Sequence, residues 1–448
     1  MRVVIDTFNS ALEQGTGIAT YSRALAQSLH RLGHTVDLMT SAAIPRERLW
    51  SSSRPVPAPV LLWDHPKSAR NPRSRNGSDA PLWVSNPVYS IRSLTDYLFA
   101  GMAGGRVRQF GAAQLGIVDR KPLTAQYGHF DGVLNVPNVY TRAMSYFART
   151  GRFLSISPKE KIDVAHFSWC LPIRVEGARN VYTICDLIPL RFPSMTLDNK
   201  STFFRLVDHC IRNGDKIVTI SESSRREIAG IMEVPDTIIS NGYLPFDVEP
   251  SRLASSIDTV APRLRHAFGL EPRAYFLIAG TVEPRKNVNR AVSAFLSADT
   301  DCSLVICGPR NGLSPDVTRL LEEMIRVGRG RILMLDYLPR PLLLDLVQGA
   351  RAAISMSLAE GFGLPVLEAM ALGTPVIASD IETYREVCQD SAILVDPYDT
   401  PAIAAALERV SRWGRSELVA AGEAGRRRAA EFSPGAFDRR ISEIYATL

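Results

Sequence analysis

The second half of the chain alternates short apolar segments rich in β-branched residues with helical patterns, at a spacing of roughly thirty residues. Few folds accept that rhythm. Strands are predicted at 275–279, 303–307, 332–336, 352–357, 375–378 and 392–395, and helices at 288–296, 315–326, 341–350, 365–372 and 383–388. Several of the helices open on proline, which fits the first helical position because the N–H it lacks would have no intrahelical partner there. Strands that read as apolar throughout are buried on both faces, so the pattern predicts an α/β fold with a parallel sheet covered by helices on each side.

The first half starts in the same way. A strand at 3–6 leads through Gly15-Thr16-Gly17 into a helix from about residue 18 to 32, whose apolar stripe is Ile18, Tyr21, Leu25, Leu29 and Leu32. Gly33 suits the helix C-terminal position, and a second strand follows at 35–39. Regularity then lapses from residue 41 to about 161, where Pro/Ser/Arg-rich stretches are mixed with some helical ones. Alternation resumes with strands at 164–167, 181–185 and 216–220 and helices at 201–212 and 223–231. Residues 250–262 are small and polar, as in a linker.

A chain of 448 residues exceeds one ordinary core, so two doubly wound domains are expected, facing each other across a cleft beyond the carboxyl ends of their strands. The expected division is 1–262 with a basic insertion at about 42–161, then 263–432, then a terminal helix, 433–448, packing back on the first domain. C-terminal helices are predicted at 400–412, 416–431 and 434–448.

Composition excludes several classes. Hydrophobic residues at 46% and charged residues at 22% are those of a globular protein, and no apolar run approaches a membrane span. The six cysteines are scattered, with no Cys-x-x-Cys pair and no histidines at zinc-ligand spacing, which favours reduced thiols and a cytoplasmic protein. Residues 42–130 hold twelve Lys/Arg against five Asp/Glu, while the whole chain carries only +6, so the basic excess is local. With Trp50, Trp63, Trp83 and Phe110 interleaved, that stretch suits either a solvated insertion or peripheral contact with an anionic membrane face. No recognised nucleic-acid motif accompanies it, so nucleic acid is not an expected partner.

Two strings carry chemistry. In Glu360-Gly361-Phe362-Gly363-Leu364-Pro365-Val366-Leu367-Glu368, a strand ends in a glycine turn that opens a helix, and a carboxylate stands on each side of it. Free N–H groups at the helix start attract phosphate oxygens, and carboxylates accept hydrogen bonds from sugar hydroxyls. Glu368 alone would need no such explanation, being an acid in a first helical turn. In Thr281-Val-Glu-Pro-Arg285-Lys286-Asn287, two cations follow the first strand of the second domain, a fork and a mobile point charge suited to a diphosphate. Gly15, Thr16 and Gly17 could bring backbone to phosphates, yet Thr20 stands where a dinucleotide fingerprint has its third glycine, which weakens an NAD-binding reading. Asp186 ends a strand toward the cleft, Ser221 suits either a helix cap or a ligand contact, and His166 reads more readily as structural than catalytic.

Taken together these strings resemble family 4 of the retaining glycosyltransferases, as found among bacterial mannosyltransferase-like enzymes of glycan assembly. The resemblance rests on Gln14-Gly-Thr-Gly17, Thr183-Ile-Cys-Asp-Leu-Ile-Pro-Leu-Arg-Phe-Pro193, Ile220-Ser-Glu-Ser-Ser-Arg-Arg226, Gly280-Thr-Val-Glu-Pro-Arg-Lys-Asn287, Cys307-Gly-Pro309 and Glu360 to Ala371 with Gly373-Thr-Pro-Val376. It implies a GT-B fold of two Rossmann-like domains and transfer of a hexose, mannose being one candidate, with retention. The donor is a nucleoside diphosphate sugar used as co-substrate, with no further cofactor and no obligatory metal; the acceptor is a glycan or lipid-linked glycan. Arg285 and Lys286 are then expected to hold the diphosphate, Glu368 the ribose, and Glu360 to lie by the transferred sugar, with Gly361, Phe362, Gly363 and Leu364 lining the donor. Asp186, Cys185, Ser221 and His166 are the expected acceptor or sugar contacts. One departure is Cys185, where relatives commonly carry histidine; a thiol is a weak hydrogen-bonding group. That departure leaves open a second reading, a non-catalytic sugar-nucleotide-binding subunit supporting a partner transferase.

Overall fold

The computed structural model describes residues 1–9, 17–41, 108–110, 121–246, 248–328 and 330–448. The strands, in chain order, are β1 Arg2–Asp6, β2 Thr35–Thr40, β3 Arg108–Phe110, β4 Gly132–Asn135, β5 Leu154–Ile156, β6 Val164–Phe167, β7 Ile173–Val175, β8 Arg179–Thr183, β9 Lys216–Thr219 and β10 Ile239–Asn241 in the first half. β11 Tyr275–Ala279, β12 Ser303–Cys307, β13 Ile332–Leu335, β14 Ala352–Ser355, β15 Val376–Ser379 and β16 Ile393–Val395 follow in the second.

An eight-stranded sheet runs β10-β9-β8-β6-β1-β2-β4-β3, and only the edge strand β3 is antiparallel to its neighbour. A six-stranded parallel sheet runs β13-β12-β11-β14-β15-β16, and β5 with β7 form a small parallel pair. In each large sheet the chain winds outward from a central strand, returns, and winds outward the other way. The reversals fall between β1 and β6 and between β11 and β14, and in open α/β sheets such a switch point leaves a crevice at the carboxyl ends of the strands.

Two parts of the sequence reading are corrected. Residues 121–156, read as the end of the insertion, contain the helices Lys121–Tyr127 and Val139–Thr150 with β4 and β5, and β4 pairs in parallel with β2 over Asp37 to Thr40. Its four residues, Gly-Val-Leu-Asn, are too short an apolar run to stand out. Residues 250–262 are not an extended linker, since they form the helix Pro250–Leu253 and the first half of Ile257–Phe268. Val260, Ala261 and Leu264 make a buried stripe at spacings of one, three and four, and Pro262 inside that helix disguised it. Arg263 grips Asp345 of the helix Arg340–Gly349 at 2.7 and 2.8 Å, and Arg252 pairs with the same carboxylate. The segment between the sheets is therefore fastened to the second domain. Of the basic stretch expected at 42–130, residues 42–107 and 111–120 lie outside the described residues.

The last helix, Pro434–Ala446, leaves the second domain and lies along the helix Gly17–Arg31 of the first. Phe437 meets Tyr21 edge to face at 6.1 Å, and Arg31 forks onto Asp438 with both contacts at 2.8 Å. No helix among the described residues is long and apolar enough to cross a membrane.

Candidate active site

β11 and β14 are neighbours at the switch point of the second sheet, so the loops leaving their carboxyl ends share one crevice. The loop after β11 makes a tight turn, Pro284–Lys286, and ends on Asn287 at φ 54, whose side-chain amide donates to the Pro397 carbonyl at 2.8 Å. The loop after β14 brings Glu360 against that turn. Arg285 Nη1 donates to Glu360 Oε2 at 2.8 Å, while Lys286 Nζ and Ser357 Oγ donate to Oε1 at 2.5 and 2.7 Å. Backbone joins the two loops as well, through Leu358 N to the Arg285 carbonyl at 2.7 Å. Arg285 also pairs with Glu283 at 2.7 Å.

The Glu360 side chain is only 7% exposed. Burial alone would raise its pKa, but Lys286 and then Arg285 outweigh burial and bring it down to about 2, so the carboxylate is ionised throughout the neutral range. The glycine turn follows directly. A β-carbon on Gly361 would come within 2.7 Å of Asp186 Oδ2, which belongs to the facing domain. Gly363 has φ 99 and initiates the helix Leu364–Ala371, with Pro365 in its first turn. The Phe362 side chain is buried against Tyr243 and Phe432, which leaves its backbone as the part that can face a ligand. Glu368, one turn into the helix, is largely buried and accepts from Arg340 Nη2 at 2.6 Å.

From the first domain, Gly17 opens its helix close to the start of the other, a β-carbon there meeting Leu364 Cδ1 at 3.4 Å. The starts of the two helices thus lie close together. Gly15 and Thr16 lie outside the described residues. Asp186 caps its own loop by accepting from Ile188 N at 3.0 Å, and burial raises its pKa against that bond and the charge of Arg285. Burial, with the charge of Asp186 adding, pushes the Cys185 thiol well up and keeps it neutral.

Two expected ligand contacts are corrected. His166 is fully buried, its Nδ1 2.8 Å from Tyr445 Oη and its Nε2 3.0 Å from Thr183 Oγ1, and burial lowers its pKa to about 3. It is a neutral pin between β6 and the last helix. Ser221 is also buried: its Oγ accepts from Ser224 N at 3.0 Å, capping the helix Glu222–Met232, and donates to the Gly361 carbonyl at 2.7 Å. It joins the domains and is not available to an acceptor.

Sequence reasoning missed Ser357, Arg340, Tyr384 and Glu386. Ser357 could have been found as a hydroxyl between a strand end and Glu360, and Arg340 as a cation opening a helix after β13. Nothing local marked Tyr384 or Glu386, both on the helix Glu382–Cys388, the first with its hydroxyl 3.4 Å from Glu360 Oε1. Glu386 accepts from the backbone N–H groups of Glu222 and Ser223, both at 2.7 Å, and so completes a helix start in the other domain.

Two doubly wound parallel sheets, with a last helix returning to the first domain and a polar crevice at the switch point of the second, define the GT-B architecture. The fold superposes on Anabaena HepE in complex with UDP and glucose at a TM-score of 0.61, with 14% identity over 100% of both chains. It also superposes on WaaG, a glycosyltransferase involved in lipopolysaccharide biosynthesis, at 0.57 with 14% identity over 99% of both chains. Residues 262–428, the stretch that holds Arg285, Lys286, Glu360 and Glu368, match the family of glycosyl transferases group 1. The chain is 32% identical to O-antigen chain mannosyltransferase B of Escherichia coli over 52% of its own length and 61% of that protein. It is 26% identical to the serotype-specific mannosyltransferase WbdA of Escherichia coli over 49% of its length and 28% of that protein. The matched stretch thus spans less than two thirds of either relative.

Proposed function

We propose that this protein is a retaining hexosyltransferase that moves a hexose, mannose in the first instance, from a nucleoside diphosphate sugar to a glycan or lipid-linked glycan acceptor. The observation that carries the reading is the buried cluster of Glu360 with Arg285 and Lys286 at the β11/β14 switch point, beside a glycine turn that opens a helix. The names of the matched mannosyltransferases and the UDP held by a protein of the same fold support it.

Charge explains how the cluster would work. Arg285 and Lys286 are balanced by Glu360 and Glu283, so an arriving diphosphate must draw both cations partly away from Glu360. That exchange frees carboxylate lone pairs for sugar hydroxyls. The two cations and the N–H groups before Leu364 then offset the charge that develops on the departing diphosphate, which is the electrostatic work a divalent ion does elsewhere. Glu368 would hold the ribose and Asp186 would approach the sugar from the facing domain. The resemblance suggests retention by internal return, the leaving phosphate assisting the incoming hydroxyl. The protein would work at the cytoplasmic membrane face, its basic 42–130 stretch meeting anionic lipid.

The test is transfer from GDP-mannose, UDP-glucose and ADP-glucose to a lipid-linked glycan, with the anomeric configuration of the product read by NMR. Turnover is expected to survive a chelator and to fall below detection in Glu360→Ala and Lys286→Ala. Full activity in either variant would remove the site assignment, an inverted product would remove the retaining reading, and loss of turnover with the chelator would remove the metal-independent one.

A further inference from the structure

The carboxylate of Glu360 and the turn after it rest on one side chain that the proposed reaction does not use. Tyr384 is fully buried in the helix Glu382–Cys388. Its hydroxyl lies 2.6 Å from Ser355 Oγ at the end of β14 and 3.4 Å from Glu360 Oε1, so a chain of donors runs from Ser355 through Tyr384 to the carboxylate. Its ring lies under the glycine turn, where a β-carbon on Gly363 would stand 2.4 Å from Tyr384 Cε1. The adjacent Thr383 donates from Oγ1 to the Glu360 carbonyl at 2.8 Å. This one helix therefore holds Glu360 by backbone and by side chain, and holds the helix-opening turn by an aromatic face.

We propose that Tyr384 is a positioning residue, fixing the Glu360 carboxylate and the phosphate-binding turn in register with each other. The inference rests on the proposed transfer reaction and adds a residue to it. Three donors meet Glu360 Oε1: Lys286, Ser357 and Tyr384. When a diphosphate recruits Lys286, the two neutral hydroxyls remain, so the carboxylate keeps its place instead of following its cation. Burial, with the charge of Glu360 adding, keeps the phenol protonated and able to donate. Because the same ring supports Gly363, a shift of the turn and a shift of the carboxylate are not independent.

The experiment compares wild type, Tyr384→Phe and Tyr384→Leu in donor turnover and in calorimetric titration with the nucleoside diphosphate of the accepted donor, after thermal melts show that each is folded. Tyr384→Phe keeps the ring and removes the hydroxyl. It is expected to lower kcat by about tenfold to a hundredfold, the range set by small misplacements of reacting groups, with the nucleotide Kd unchanged. Tyr384→Leu also removes the support under Gly363 and is expected to weaken nucleotide binding as well as kcat. Wild-type kcat in Tyr384→Phe overturns the positioning role while leaving the transferase reading intact. A wild-type protein that transfers from no donor overturns the transferase reading and this inference with it. An equal loss of nucleotide binding in both variants also overturns it, since only a structural role would then be needed.

Discussion

Glu360 is ringed by more donors than an exposed carboxylate collects, and both its cations are ones the proposed diphosphate needs. This predicts an opposite response of binding and turnover. Glu360→Gln removes the internal anion that competes for Arg285 and Lys286, so calorimetry is expected to show nucleoside diphosphate binding tightened by about tenfold, the scale of one charge-assisted hydrogen bond. Turnover is expected to fall at least a hundredfold. Weaker nucleotide binding in that variant would mean that the carboxylate organises the cations more than it competes with them. At this scale the sequence was informative about positions and silent about pairing. The spacing of Arg285, Lys286, Glu360 and Glu368 put all four near one crevice, because strand ends and helix starts are legible in apolar periodicity. The Glu368 to Arg340 bond joins two separate helices, and the burial of His166 and Ser221 depends on elements far apart in the chain, none of which a local pattern encodes.

At the level of elements, the turn from β14 into the helix Leu364–Ala371 is tightly constrained. Gly363 combines a left-handed φ of 99 with a Tyr384 ring where its β-carbon would go. Gly363→Ala is therefore expected to cost about 2–6 kcal/mol, since backbone strain of about 1–3 kcal/mol is joined by overpacking of similar size. Urea unfolding measures it, and an unchanged midpoint would show that the turn can relax. The second sheet was readable strand by strand, because each of its strands is a continuous apolar run. β4 was not, being four residues with a glycine and an asparagine at its ends, and the helix Ile257–Phe268 was hidden by its internal proline.

Across the whole molecule, the helix Glu382–Cys388 touches both domains. Glu386 caps the helix Glu222–Met232, Glu382 meets Arg226 at 2.6 Å, and Thr383 and Tyr384 hold Glu360. Closure of the cleft and placement of the carboxylate thus share one rigid element. Glu386→Ala is expected to loosen the closed arrangement by about 1–3 kcal/mol, the worth of a charged group on helix-terminal N–H donors. Small-angle scattering should show a larger radius of gyration, and turnover should fall while nucleotide binding to the second domain holds. An unchanged radius and turnover would assign the cap a purely local role. The two-domain plan was legible from length and alternation, but the clasp between the domains was not, because its partners lie some 160 residues apart.

Binding of a sugar donor's nucleoside diphosphate in the β11/β14 crevice is read by thermal melting. Wild type and Glu368→Ala are melted with GDP, UDP, ADP and NAD, since a ligand at 100 times its Kd stabilises by about 2.7 kcal/mol. One nucleoside diphosphate is expected to raise the wild-type Tm, Glu368→Ala to abolish the rise, and NAD to do nothing. No rise with any nucleoside diphosphate, or an equal rise in the variant, would contradict binding in that crevice.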